Sequence, residues 1–472
     1  MYNPANQYRC SIIRGKSQKD IDDLLPAYAQ IINELCPCEK TLFDTQFNQR
    51  LSEMLPGVPT EKTLNNHRTE IAGKLFGMYY ETSSGYEDEM YIYPSERTMK
   101  FLEDQDQPAF FKDVCFKMQF PNGMTKPDAI AERLEKGISI RPCCYVIEVL
   151  NEAYRRGIVL TKNDIGYYVL NSLDALTRQA SPYEIIDRIS ADRQSGINHH
   201  EIGDPAKASS YNVQHINEQI NYMELANLVI IDDAGCVKLN LRESSAISVF
   251  SSHWDDDPIF DVRAYSMDTV DARQYFQTSW NQYYSALSSE SSQFTTSITA
   301  LIPDAPNDQN NNENQNAHEQ DTVELGDEGE RYVYEYEKKR VMEFSHRLAN
   351  KVLAMGKTRG LGYDIQTVNA VPGDQAEFVK YIEVKATKRV TAPDLSDEHW
   401  LDTVNITRNE WIAAQQHGAY YSIYRVYFVR GNVYMYVIEN PYQLYTNGTL
   451  SVVPTMYKMD FGSSAINRQI CI

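Results

Sequence analysis

Between Arg273 and Arg331 the chain carries no Lys or Arg, yet ten carboxylates fall in that interval, from Glu290 to Glu330. Its middle, DAPNDQNNNENQNAHEQ (304–320), is rich in Asn and Gln and has no aromatic residue. Such a stretch buries too little apolar surface to offset the entropy of ordering it. The composition therefore predicts an acidic, flexible linker over 286–323, with a folded body on either side. About half of the formal net charge of -20 comes from this one interval. The acidic balance thus leaves a nucleic-acid partner open for the folded parts.

Hydrophobic residues make up 42% and charged residues 23%, a globular balance that excludes a wholly disordered chain. No apolar run approaches the ~18 residues that span a bilayer, so no membrane partner is expected. The start, MYNPANQYRCSIIRGKSQKD, lacks the apolar core of a secretory signal, so the expected location is cytoplasmic. None of the eight cysteines forms a CxxC pair, which argues for reduced thiols over a disulfide scaffold or zinc site. GxSxG, GxxxxGK[ST] and GxGxxG are absent, which removes the serine-hydrolase elbow, the P-loop and the dinucleotide fingerprint.

The first body reads as two helical units. Residues 21–35 and 45–55 have helical periodicity, and TEKTLNNHRTEIAGKLFG (60–77) predicts a helix begun by Thr60 or Thr63 and closed near Gly77. The Tyr-rich MYYETSSGYEDEMYIYP (78–94) then predicts a hairpin. Three helices followed by a hairpin is the order of a winged helix, expected here over 1–105. The helix before the wing can enter a DNA major groove. Asn65, Asn66, His67 and Arg68 at its start are the candidate DNA-binding residues, since Asn pairs with adenine and Arg with guanine. Against this, Glu81, Glu87, Asp88 and Glu89 in the wing would repel phosphate, and such units also serve as protein adaptors.

A second recognition domain is expected over 106–285, ending in a helix and hairpin within YNVQHINEQINYMELANLVIIDDAGCVKLN (211–240). Its motifs QFPNG (119–123), IRP (140–142) and LTKND (160–164), taken in order, resemble the N-terminal recognition regions of restriction endonucleases of the AlwI and FokI type. That likeness covers residues 105–175 and implies DNA-sequence reading, without supplying a catalytic residue.

After the linker, EGERYVYEYEKKRVMEFSHRLANKVLAMG (328–356) predicts one long helix closed by Gly356, with Val333, Val341, Phe344, Leu348 and Val352 as its apolar stripe. Glu330 and Glu337 lie on that stripe, at its edge or paired with a nearby cation. LGYDIQTV (361–368) predicts a strand carrying Asp364, and VKYIEVKATKRV (379–390) a strand on which Tyr381, Glu383 and Lys385 share one face. Pairing of these strands would bring two carboxylates and an ammonium together, a set that suits Mg2+. TRNEWIAAQQHG (407–418) follows as a capped helix, then two Tyr-rich strands.

This D…ExK order is that of PD-(D/E)xK nucleases. Gly329-Glu330, Gly362-Tyr363-Asp364-Ile365, Tyr381-Ile382-Glu383-Val384-Lys385-Ala386-Thr387, Thr407 and Asn409-Glu410 together resemble the NO VEIN C-terminal domain within that superfamily, over residues 324–440. The expected architecture is multidomain: mostly α, winged-helix N-terminal domains and an α/β C-terminal domain over 324–472, with a mixed sheet flanked by helices. The resemblance implies a metal-dependent nuclease. Asp364, Glu383 and the Val384 carbonyl would hold Mg2+, Lys385 would serve the attacking water, Glu330 would add a carboxylate, and Asn409 and Glu410 would stand behind them.

The expected activity is Mg2+-dependent endonucleolytic hydrolysis of double-stranded DNA by a type II, IIS-like restriction enzyme, acting as a homodimer at least during cleavage. The alternatives are a modification-dependent or defence-system nuclease and a non-catalytic DNA-binding adaptor. Survival of the whole Asp364, Glu383 and Lys385 set weighs against the last.

Overall fold

The computed structural model describes residues 6–12, 18–55, 57–83, 90–197, 210–302, 317–356, 360–373, 376–397, 400–453 and 458–471. In the N-terminal half, helix Gln18–Leu35 buries Ile21, Leu25, Tyr28 and Ile32 at three- and four-residue steps. It packs on helix Lys40–Met54, whose inner face is Phe43, Phe47 and Leu51. Thr60 caps helix Glu61–Asn65, its hydroxyl accepting from the Thr63 amide at 3.2 Å, and the chain continues as a wider π-wound helix, Asn66–Leu75. Strands Tyr79–Ser83 and Met90–Pro94 form the expected hairpin and take Cys38–Glu39 as a third strand. Glu81 is neutralised by Lys40 at 2.6 Å, while Glu87, Asp88 and Glu89 lie outside the described residues.

The second unit repeats this order. Helix Pro142–Arg155 opens with proline in its first turn, and Thr161 and Asp164 form a reciprocal capping box. Helix Ser210–Leu225 leads into strands Val229–Ile231 and Cys236–Leu239, with Leu160–Thr161 completing the sheet. One hydrophobic core runs from Cys10 to Phe294, straight across the expected boundary at 105/106. The two units therefore share their interior.

Two sequence expectations change. Residues 286–302, assigned to the linker, are packed against the N-terminal half. Phe294 and Leu301 are buried, the Thr296 hydroxyl accepts from the buried Lys112 ammonium at 2.8 Å, and the Ser288 amide donates to Asp113 at 2.9 Å. Further on, the helix that the pattern extends to Gly356 stops earlier, as Ala317–Phe344. A 3-10 turn, Leu348–Lys351, follows, and Leu353–Ala354 becomes a strand because Ile365–Val368 is there to pair with it. Val333, Val341, Leu348 and Val352 are buried as expected, whereas Phe344 is 40% exposed.

The C-terminal domain is built on a six-stranded sheet in the order Arg468–Cys471, Asn432–Glu439, Tyr421–Val429, Val379–Arg389, Ile365–Val368, Leu353–Ala354. Every neighbouring pair is antiparallel except Val379–Arg389 with Tyr421–Val429, so the sheet is mixed. A parallel pair needs a crossover, and helix Arg408–His417 supplies it. Helix Ala317–Phe344 covers one face of the sheet and helix Arg408–His417 the other, with a separate apolar core on each side. Tyr421–Val429, sandwiched between them, is buried along its whole length. Among the described residues no helix is long and apolar enough to cross a membrane.

The two halves are docked. At the far end of strand Val379–Arg389, the Lys388 amide and Thr387 hydroxyl donate to the Gln105 carbonyl, each at 3.1 Å. Lys388 pairs with Asp106 at 3.4 Å, and Arg389, 4% exposed, pairs with Asp23 at 2.6 Å. Arg430 reaches Asn227 and Glu224 on the other flank.

Candidate active site

Asp364 stands immediately before strand Ile365–Val368, where the register sets Ile365 opposite Ile382. Its amide donates to the Ile382 carbonyl at 2.8 Å and its own Oδ2 accepts from the Val384 amide at 2.8 Å. These bonds straddle Glu383 and hold the two carboxyl groups within hydrogen-bonding reach. Glu383 and Lys385, two residues apart, share a strand face, and the Lys385 ammonium lies 2.7 Å from Glu383 Oε1. The same ammonium lies 2.9 Å from Glu410 Oε2. Glu410 is fixed in turn by a capping box, its carboxylate accepting from the Thr407 amide at 2.8 Å while its amide donates to the Thr407 hydroxyl at 3.3 Å. The strand Asp, the ExK strand and the capped helix therefore converge.

Backbone close approaches make this possible. Gly362 has φ +75°, and a Cβ there would lie 2.5 Å from the Asn409 carbonyl oxygen, so only glycine lets the Asp364 loop reach the helix start. The Tyr421 hydroxyl donates to the Gly362 carbonyl at 2.8 Å, pinning the loop from the sheet side. Gly329 brings helix Ala317–Phe344 onto the opposite face, where a Cβ would meet Ala386 Cβ at 2.9 Å. Glu330, next in sequence, lays its carboxylate over Gly356, where a Cβ would lie 2.2 Å from Glu330 Oε2. Gly356 follows Met355, whose amide donates to the Asp364 carbonyl at 2.6 Å. Glu330 thus approaches the same end of the sheet from the other layer.

The electrostatics fit an acidic, cation-seeking cluster. Burial pushes the Glu383 carboxyl well up, partly opposed by Lys385 and reinforced by Asp364 and Glu410. Burial also raises Asp364, against the Val384 amide and Lys385. Burial alone would lower Lys385, but Glu383 and Glu410 outweigh it and keep the ammonium protonated. With all groups ionised, Asp364, Glu383 and Glu410 against Lys385 give three negative charges and one positive. Among the described residues no three His, Cys, Asp or Glu side chains form a metal cage. A pair of carboxylates, Asp364 and Glu383, is nevertheless the donor set expected for Mg2+, which keeps several waters and takes one or two protein carboxylates.

Other expected residues fall differently. Val384 contributes its amide to Asp364. Asn409 is exposed, and it is its backbone that packs on Gly362. Glu337 is 1% exposed and paired with Arg340 at 2.7 Å, away from the cluster. The four candidate DNA-binding residues separate. His67 and Arg68 are 2% and 7% exposed: the Tyr28 hydroxyl bonds His67 Nδ1, and Arg68 pairs with Asp44 at 3.0 Å. Asn65 Oδ1 accepts from Asn48 at 2.9 Å, which leaves Asn66 exposed. His67 also lines a cleft of about 350 Å3 against Trp400 and Thr403 of the C-terminal domain. In the sequence Tyr421 carries no assigned role, and Gly356 stands only as the close of a helix that in fact stops at Phe344. Tyr421 alternates with the other tyrosines of its strand and carries no distinguishing motif.

Family comparison bears on both halves. Residues 2–281 match the family described as restriction endonuclease BpuJI, N-terminal. The chain belongs to that family. The match covers more than half of it and extends well beyond the 105–175 likeness seen in the sequence. Residues 329–438 match the family described as protein NO VEIN, C-terminal, starting at Gly329 as the motifs require. Among solved structures, the chain is similar to the BpuJ1 endonuclease binding domain crystallised with pyrene- and phenanthrene-modified DNA. The likeness has 49% identity and a TM-score of 0.57, covering 60% of this chain and 100% of that one. No curated protein matches the chain.

Proposed function

We propose that this chain is a Mg2+-dependent, sequence-specific restriction endonuclease, with winged-helix units in its N-terminal half reading double-stranded DNA and a PD-(D/E)xK domain at its C-terminus cutting it. The observation that carries the catalytic part is the Lys385 ammonium 2.7 Å from Glu383, beside an Asp364 carboxylate anchored on the next backbone amide. The recognition part rests on the family match and on the DNA complex of the similar binding domain.

Asp364 and Glu383 would hold Mg2+, which supplies Lewis-acid activation of the scissile phosphate and of a bound water. Lys385, kept protonated by Glu383 and Glu410, orients the attacking water and offsets charge on the phosphate as it becomes pentacovalent. Glu410 positions Lys385 through its own capping bonds. Glu330 adds an outer carboxylate. One such site cuts one strand, so double-strand cleavage calls for a second copy of the chain. Lys385→Ala tests the reading: cleavage of DNA in Mg2+ should fall at least ~10²-fold with DNA binding retained. Cleavage at the wild-type rate would remove the assignment.

A further inference from the structure

A second polar cavity opens on the other face of the sheet, beneath helix Ala317–Phe344. It encloses about 90 Å3 and its wall includes Glu337, Arg340, Lys380, Ser422, Glu439 and Arg468. By strand alternation Lys380 and Ile382 point away from Glu383 and Lys385, so this cavity is separate from the carboxylate cluster.

Its charges do not balance locally. Glu337 is saturated. Arg340 donates to it twice, at 3.0 and 2.7 Å, Thr367 at 2.9 Å and Tyr424 at 2.8 Å. Arg340 directs further donors to the carbonyls of Val368 and Asn369, at 2.9 and 3.0 Å. That pair is a closed, neutral unit. At the mouth Arg468 meets Glu439 at 3.2 Å, a second neutral pair that is partly exposed. Lys380 is the excess. Among the described residues no hydrogen bond or ion pair reaches its ammonium. Burial pulls its pKa down, the Glu439 and Glu337 carboxylates oppose the fall, and the Arg340 and Arg468 guanidiniums add to it. Thr367 opposite Lys380 in the ladder fixes the strand from which this side chain starts. Lys380 is half-buried, so its ammonium gives up part of its hydration with no ion pair to offset the loss, and an anion brought alongside it would reduce that cost.

We propose that this cavity binds a phosphate-sized oxyanion through the Lys380 ammonium, with Arg468 and the Ser422 hydroxyl as further donors. At roughly 10–15 Å3 per water, the space admits about six to nine waters, ample for one tetrahedral anion. The ligand class proposed is phosphate, either free or at the terminus of a nucleic-acid strand. The site stands apart from the nuclease reading and does not depend on it.

Titration of the full chain with inorganic phosphate, followed by calorimetry, tests this. Wild type should bind one phosphate saturably. Lys380→Gln should weaken binding about tenfold or more, and Lys380→Arg should hold it within about threefold. Competition by a 5′-phosphorylated but not a 5′-hydroxyl oligonucleotide would assign the strand terminus, and competition by neither would assign free phosphate. Lys380→Met should raise the melting temperature in phosphate-free buffer, because it removes an unpaired charge. Absence of saturable binding, equal binding by Lys380→Gln, or a lower melting temperature for Lys380→Met would each overturn the proposal.

Discussion

Two glycines show what single residues contribute to the site. Gly362 meets main chain: a methyl group there would press on the Asn409 carbonyl in a backbone of φ +75°. Gly362→Ala is expected to cost about 1–3 kcal/mol and to loosen the Asp364 loop, read as a lower urea midpoint together with reduced cleavage. Gly356 meets only the far end of a flexible side chain, the Glu330 carboxylate. Gly356→Ala should therefore leave stability within about 1 kcal/mol while displacing Glu330, so that its cleavage rate drops to that of Glu330→Gln. If Gly356→Ala cuts like wild type, Glu330 has no part in the reaction. Both glycines stand plainly in the sequence, but the partner each one approaches does not, because Asn409 and Glu330 come from other elements.

At the level of elements, the capped helix Arg408–His417 links stability to the site. Thr407→Ala removes the hydroxyl that accepts from the Glu410 amide, while the residue-407 amide can still donate to the Glu410 carboxylate. It should lower stability by about 1 kcal/mol and loosen the helix start that sets Glu410 against Lys385, cutting activity more than the lost stability explains. An activity loss matching the lost folded fraction alone would make the cap purely structural. This helix, its Thr407 cap and its Glu410 partner were legible because capping chemistry is local in sequence. So was the strand face shared by Glu383 and Lys385, since alternation needs no tertiary information. The end of helix Ala317–Phe344 was not legible. Its apolar steps continue through Leu348 and Val352, and only the presence of Ile365–Val368 turns Leu353–Ala354 into a strand. The inward turn of His67 and Arg68 was hidden for the same reason, as Tyr28 and Asp44 belong to other helices.

Across the whole molecule, the strand that carries Glu383 and Lys385 also anchors the C-terminal domain to the N-terminal half through Thr387, Lys388 and Arg389. These partners lie 282 and 366 residues apart along the chain, and no periodicity announces such pairs. Arg389→Ala leaves Asp23 and the buried Asp22 without their cation and should cost about 3–5 kcal/mol, read by chemical denaturation. The interface also sets a pH dependence. Burial pushes Asp22 up to about 6, against the pull of Arg389 and Thr391. The folded chain thus holds this proton more tightly than the unfolded chain, in which Asp titrates near ~3.9. Its contribution to stability is full below about pH 4, is lost as pH rises towards about 6, and is level above that. Two pKa units correspond to about 3 kcal/mol at most. Asp22→Asn should flatten the stability profile across that window, and an unchanged slope would place the titration elsewhere.

The most direct test of the account is the Mg2+-dependent cleavage rate of wild type and Lys385→Ala on methylated and unmethylated plasmid DNA, with DNA binding measured in parallel. The expected result is cutting by wild type alone, with both proteins binding DNA alike. Equal cutting by the variant, or a wild-type chain that binds DNA and never cuts either substrate, would contradict it.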